Sequence, residues 1–421
     1  MVWGRIRQHD AIRHLGPGLI TGAADDDPSG IATYSQAGAQ FGLGMLWTVV
    51  LTYPLMVGIQ TVSARMGRVT GQGLAANIRK AFPRPVVMVI VALLMGANII
   101  NIAADIAAMG EALQMVVGGG EHFHAVIFGF ISLVLQIFMP YERYVRFLKW
   151  LTLALLAYVG VVFMVKVPWW EVVMRSAWPR LSLDSDAITV IVALFGTTIS
   201  PYLFFWQATQ EAQDARADGE LKDFAHAPEE AREHLRRIKW DTWIGMGFSN
   251  LIAFFIILST AVTLNVAGIT QIATASQAAE ALRPVAGEFA FTLFALGIIG
   301  TGMLAVPILA GSAAYAVAEV FDWTTGLDRK LFEAKEFYAM LTVATIGGTL
   351  LDFTPIDPIK ALLWSAVINC VIAVPIMIVM MLLGSQPKIM GHFVIGRRLR
   401  VVGWLATAIM AVAVVAMFWS L

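Results

Sequence analysis

Three consecutive aspartates and a proline, Asp25-Asp26-Asp27-Pro28-Ser29-Gly30, interrupt an apolar stretch long enough to cross a bilayer. A carboxylate inside a membrane costs about 2.5–3.5 kcal/mol or more unless it is paired, so an intramembrane acid marks a functional site by default. Pro28 removes a backbone donor and Gly30 loosens the chain, so the helix must break here. Carbonyls freed by such a break must face a partner, water or a ligand. Asp27, adjacent to Pro28, is the acid best placed to face a cation. Asp25 and Asp26 are expected to line an access path or to cap a half-helix.

A second break follows at Gly196-Thr197-Thr198-Ile199-Ser200-Pro201-Tyr202-Leu203. Two Pro/Gly-interrupted spans at matching places in two halves of a chain point to an inverted-repeat transporter with its substrate held between the breaks. The expected site combines Asp27, the carbonyl of Ala24, Gly30, and the hydroxyls of Thr197 and Ser200, with Tyr202 shaping the pocket. Basic residues avoid the middle of the spans, and all seven histidines read as loop or terminal residues. An acidic site without a basic partner favours a cationic ligand, and carboxylate with carbonyl oxygens suits hard or borderline divalent ions. Gln207, Gln210 and Glu211 share one helical face. They read either as a hydrated vestibule or as the end of the span. Asn98, Asn101 and Asp105 form a polar stripe on span 3, open to an access or proton role or to plain interhelical bonding.

These residues need a membrane bundle to hold them. Hydrophobic residues make up 58% of the 421 and charged residues 14%, against about 25% charged in a soluble domain. Mean hydropathy is +0.73. Eleven apolar stretches of spanning length lie near 15–42, 45–66, 86–117, 124–140, 146–166, 187–211, 241–265, 288–320, 336–352, 358–384 and 399–420. They predict a single membrane domain over 1–421: spans 1–5 to about 166, spans 6–10 from about 187 to 384, and an eleventh span. Lys and Arg crowd one set of loops, including Arg68, Arg79, Lys80 and Arg84, which places the N-terminus in the cytoplasm and the C-terminus outside an inner or plasma membrane. The segment 212–240 reads as a long cytoplasmic loop with a short amphipathic helix from Pro228 to Lys239. Zero net charge gives no reason to expect nucleic acid as a partner. The lone Cys370 excludes an intrachain disulfide. No phosphate loop or nucleophile constellation appears, so an enzyme with a cofactor is not expected.

The run Gly16-Pro17-Gly18 through Asp27-Pro28-Ser29-Gly30 resembles the first span of the Nramp divalent-metal transporters, typically Asp-Pro-Gly-Asn. Gln60 followed by Arg65-Met66-Gly67-Arg68-Val69-Thr70-Gly71 is similar to their second-span signature, and Ile102-Ala103-Ala104-Asp105-Ile106-Ala107 to their third span. The resemblance implies a LeuT-like fold of two inverted five-span repeats plus one helix, with a divalent metal as substrate. It also exposes departures. Where the family has Met-Pro-His-Asn in span 6, this chain has Ser200-Pro201-Tyr202-Leu203, and Gly30 replaces the Asn of span 1. Losing a soft thioether removes a reason to prefer transition metals over harder ions such as Mg²⁺. The family's proton route loses its His to Tyr202, keeps one third-span acid as Asp105, and has Ala108 at the second. The expected function is therefore alternating-access transport of a divalent cation with weak or absent proton coupling. An amino-acid-like solute read by its ammonium group is the alternative, and a non-transporting sensor is a third reading.

Overall fold

The computed structural model describes residues 17–139, 150–179, 184–217, 228–327, 329–355 and 357–420, and every regular element among them is helical. The principal helices are α1 (Pro17–Asp25), α2 (Pro28–Phe41), α3 (Leu46–Thr70), α4 (Leu74–Ala81), α5 (Arg84–Val117), α6 (Glu121–Phe138), α7 (Leu156–Met164) and α8 (Trp169–Ala177). They continue as α9 (Ser185–Thr198), α10 (Pro201–Ala217), α11 (Pro228–Thr260), α12 (Ala290–Phe321), α13 (Lys335–Leu351), α14 (Pro358–Gly384) and α15 (Arg397–Ser420). Eight helical runs among the described residues are long and apolar enough to cross a bilayer. Outer helices turn large apolar side chains outward, among them Phe130, Val412, Val415, Phe418 and Trp419. Contiguous exposed apolar surface of this kind is stable against lipid and not against water.

Local chemistry sets the helix ends. Pro28 and Pro358 each open a helix at its first position, where a missing N–H costs nothing. The preceding Asp27 and Asp357 cap the amides that follow. At the second break Pro201 has no amide to donate back. Ser200 turns its hydroxyl onto its own helix instead, 2.8 Å from Thr197 O and 3.0 Å from Gly196 O. α4 has no side-chain cap of its own. Glu319 of α12 supplies one, accepting from the Ala76 amide at 3.2 Å and from Thr209 of α10 at 2.9 Å. Gly73 leaves the room that this carboxylate occupies. Arg79 forks onto Asp322 with two 2.6 Å bonds and holds that carboxyl below its usual range.

The two broken helices lie inside the bundle. α1 packs along α11, α9 along α14, and α10 along α3, while α12 runs beside α5 as the most completely buried long helix. Gly196 makes one of these contacts possible. A Cβ there would stand 1.9 Å from Ala366 O and 2.6 Å from Cys370 N, so α9 and α14 touch backbone to backbone.

Two expectations are corrected. The segment 212–240 is not one long loop: α10 runs to Ala217, and α11 begins at Pro228 and continues unbroken into the membrane. The amphipathic stretch from Pro228 is the N-terminal part of the same helix as span 7; 218–227 lies outside the described residues. Its charges mislead because a helix projecting past the headgroups can carry them. The histidines are not all in loops either. His122 and His124 stand in the first turn of α6, His124 buried, and His234 is on α11. The start of the expected fifth span, 146–149, falls outside the described residues, as do His9, His14 and His226.

Candidate metal site

Asp27 sits in the first break with extended backbone (φ −73°, ψ 169°), which turns its side chain back over the start of α2. Oδ1 accepts the Gly30 amide at 2.7 Å. Oδ2 accepts from the Tyr202 hydroxyl at 3.2 Å, and the same hydroxyl stands 3.2 Å from Ala24 O. The one phenolic proton is thus shared between the last turn of α1 and the cap of α2. Thr197 lies on the other side of this junction. Its Oγ1 is 3.2 Å from the point where a Cβ on Gly30 would stand, and that point is 3.4 Å from Asp27 Oδ1. The two oxygens therefore flank the space left by the missing side chain. Thr197 Oγ1 is buried without a hydrogen-bond partner. Ser200 is adjacent in sequence, but its proton is committed to α9.

The other acids gather at the same depth. Ser249 of α11 lies 2.8 Å from Asp25 Oδ2 and 3.0 Å from Asp26 Oδ1. One hydroxyl has one proton to give, so it cannot satisfy two ionised carboxylates. Asp25 Oδ1 is buried without a hydrogen-bond partner. Asp105, on α5, is buried as well. Asp25, Asp26, Asp27 and Asp105 are 1%, 3%, 2% and 0% exposed. No Lys, Arg or His among the described residues hydrogen-bonds or ion-pairs with any of them. Buried acids left in this state are strongly unfavourable, and a cation placed beside Asp27 relieves them together.

Other expected residues stand farther along α10. Gln207 accepts from Gln60 Nε2 of α3 at 2.6 Å and donates to Thr242 of α11 at 3.1 Å. Glu211 is fully buried, with Arg237 Nη2 at 3.6 Å. Gln207 and Glu211 are thus buried against neighbouring helices, and Gln210 alone of the three is partly exposed. Asn98 and Asn101 bond across to α12 and α14, through Ser312 and Asn369.

Tyr202 bonds to Asp27 and Ala24 O, and a cation that took both oxygens would have to break those bonds. An interaction made only in the empty state weakens binding by its own free energy, about 1.5–3 kcal/mol for a hydrogen bond to a charged group. Tyr202→Phe is expected to tighten Mn²⁺ binding by about tenfold in calorimetry and to slow turnover. Weaker binding would show that the hydroxyl holds the ion instead.

A model of the Natural resistance-associated macrophage protein-like (Nramp) family matches residues 18–420. The chain belongs to the Nramp family. Among its relatives, the divalent metal cation transporter MntH of Klebsiella pneumoniae (strain 342) is 26% identical over 407 residues, covering 94% of this chain and 91% of that one. MntH of Deinococcus radiodurans is 27% identical over 417 residues, covering 97% and 89%. A solved structure of the Eremococcus coleocola manganese transporter superposes with a TM-score of 0.74 at 16% identity, covering 98% of this chain and 87% of that one. Mhp1, a nucleobase-cation-symport-1 family transporter, superposes at 0.58 and 16% identity, covering 96% and 91%. These likenesses establish the LeuT-like, all-helical membrane fold.

In this Nramp-family chain several tying residues escaped sequence reasoning. Ser249 is one. Tyr34 of α2 is another: Thr198 spends its proton on Leu194 O, so the Tyr34 hydroxyl donates to Thr198 at 3.3 Å. Ser29 joins Ser365 and Leu362 O of α14. Each is an ordinary polar residue in an apolar helix, and only the three-dimensional pairing distinguishes it. Gln60 did carry a signal, as part of the second-span signature.

Proposed function

We propose that this protein carries a divalent metal cation across the membrane by alternating access, as a single transport domain with its N-terminus in the cytoplasm. The observation that carries the reading is the Gly30 gap flanked by Asp27 Oδ1 and Thr197 Oγ1, beside Ala24 O and Tyr202. Its relatives are named as divalent metal cation transporters, and metal-ion transport is the activity this chain shares with them. Asp27 is the charged ligand. Ala24 O and Thr197 Oγ1 complete an all-oxygen set that touches the ion or its water shell, and Ser200 offers only lone pairs. Asp25, Asp26 and Asp105 keep the approach negative.

Hard donors without a thioether at position 200 favour Mg²⁺ or Mn²⁺ over softer ions. Mg²⁺ gives up water reluctantly and needs few direct protein ligands, which suits a site with one charged ligand. Proton coupling is weak or absent, because Tyr202 stands where the family's relay histidine would be and does not titrate near neutral pH. Purified protein in liposomes tests both statements, with Mg²⁺, Mn²⁺ and Cd²⁺ offered separately and a pH dye in the lumen. The expected result is uptake of Mg²⁺ and Mn²⁺ above Cd²⁺ with little lumenal acidification. Uptake of Cd²⁺ above both, or acidification in step with metal entry, would overturn the selectivity or the coupling. A panel of amino acids in the same vesicles is expected to give no flux.

A further inference from the structure

The inner half of α11 meets the broken helices along one face. His234, Asp241, Gly245 and Ser249 follow steps of seven, four and four, which keeps them on one side of a helix. Each touches a different part of the bundle. His234 Nδ1 stands 3.3 Å from Arg68 Nη2 of α3. Asp241 Oδ2 accepts the Gly18 amide at 2.7 Å, near the described start of α1. Gly245 lies against Gly22, where a Cβ would come within 2.2 Å of Gly245 O. Ser249 reaches Asp25 and Asp26 at the far end of α1. Arg237, four residues before Asp241, and Thr242, one after it, reach Glu211 and Gln207 of α10.

α1 answers with a small-residue face of its own. A Cβ on Gly18 would stand 2.8 Å from Asp241 Oδ2 and from Thr242 N. Gly18 and Gly22 are four apart, the small-xxx-small spacing that lets membrane helices approach closely. Gly245 and Ser249 repeat it on α11. At one end of this seam Asp241 accepts the Gly18 amide, near the described start of α1. The carboxylate also faces the positive end of that helix.

We propose that Asp241 is a positioning residue that holds α1 on α11 and keeps the cytoplasmic path to the metal site closed. It touches no substrate and acts through the α1 backbone. Opening toward the cytoplasm requires α1 to slide or peel from the glycine seam, and the Asp241–Gly18 bond is what that movement breaks. The proposal rests on the alternating-access reading above, and its test does not need transport.

The reporter is Thr21→Cys. Thr21 is fully buried on α1 and its hydroxyl bonds only Pro17 O within the same helix. Cys370 is buried and serves as the unreactive internal control. Full-length protein in inside-out vesicles is labelled with a membrane-impermeant maleimide in the absence of metal. Adding Asp241→Ala is expected to raise the labelling rate at position 21 by about tenfold, the effect of losing a helix-capping side chain. Asp241→Asn keeps an acceptor for the Gly18 amide and is expected to stay near the parent rate. Equal labelling of the parent and Asp241→Ala, with both proteins monodisperse and the Cys370 control silent, overturns the proposal. So does equal acceleration by Asn and Ala, which would assign the effect to charge and not to the bond. Calorimetric Mn²⁺ binding on the same variants keeps the two readings apart. Loss of binding in the parent indicts the site, whereas retained binding with unchanged labelling indicts the latch.

Discussion

Asp27→Asn is expected to abolish metal uptake while leaving the protein folded. The substitution preserves volume, and the amide oxygen can still accept from Gly30. Only the full negative charge is lost, from a position where 2% exposure leaves almost no screening by water. The cap itself tolerates the change, since Asn and Asp are near-equal capping residues. The effect on transport is large because Asp27 is the one acid of the four that meets both breaks: its Oδ2 faces Tyr202 on α10, and its Oδ1 faces the gap beside Thr197 on α9. A loss of at least about a hundredfold in uptake, near 2.7 kcal/mol, is the scale expected for removing one buried charged ligand. Size-exclusion behaviour and thermal stability should stay close to wild type or improve, because a buried acid without a counter-charge is removed. Wild-type uptake by this variant would place the ion elsewhere.

The second large effect separates two glycines that look alike in the sequence. Gly30→Ala places a methyl 3.2 Å from Thr197 Oγ1 and 3.4 Å from Asp27 Oδ1. Those contacts, and a third at 3.3 Å to Tyr34 Cε2, are tight but touch side-chain atoms that can shift by a few tenths of an ångström. The protein should fold, and the methyl then stands where the ion or its water must go, so uptake is lost without changing any ligand. Gly196→Ala meets backbone instead, 1.9 Å from Ala366 O and 2.6 Å from Cys370 N. Neither atom can move without displacing α14. Overpacking of this kind costs about 1–3 kcal/mol, and a rigid backbone contact belongs at the upper end. Gly196→Ala should therefore lower yield and melting temperature, whereas Gly30→Ala should lower only transport. Detergent-solubilised melting curves beside vesicle uptake distinguish the two. Equal loss of stability in both would mean that Gly30 serves packing alone.

Much of the architecture was legible in the sequence, because its signals are local. Apolar run length marks the spans, and Pro28 and Pro201 with their small neighbours mark the breaks. The pairing of Asp27 with Tyr202 follows once those breaks are set opposite each other. Some features could not be read that way. The polar residues from Pro228 to Lys239 read as a short helix of their own, because charge density does not distinguish a separate surface helix from the polar end of a long one. Gln207 and Glu211 do share a helical face, yet that face is closed by Gln60, Thr242 and Arg237, which come from two other helices. The Gly18/Gly22 spacing is visible in the chain, but its meaning depends on Gly245 more than two hundred residues away. Long-range pairing of small groups leaves almost no trace in composition or periodicity.

The central claim is that the ion sits between the breaks at Asp27. Crystals of the wild-type protein grown with Mn²⁺, with anomalous data collected near the manganese edge, test it most directly. An anomalous peak is predicted in the gap bounded by Asp27, Ala24 O and Thr197. Its distance from Asp27 should be near the oxygen-ligand value of about 2 Å for direct contact, or one water layer farther. The peak should vanish in Asp27→Asn. A peak at Glu211 or Glu319, or one that survives unchanged in Asp27→Asn, would contradict the account.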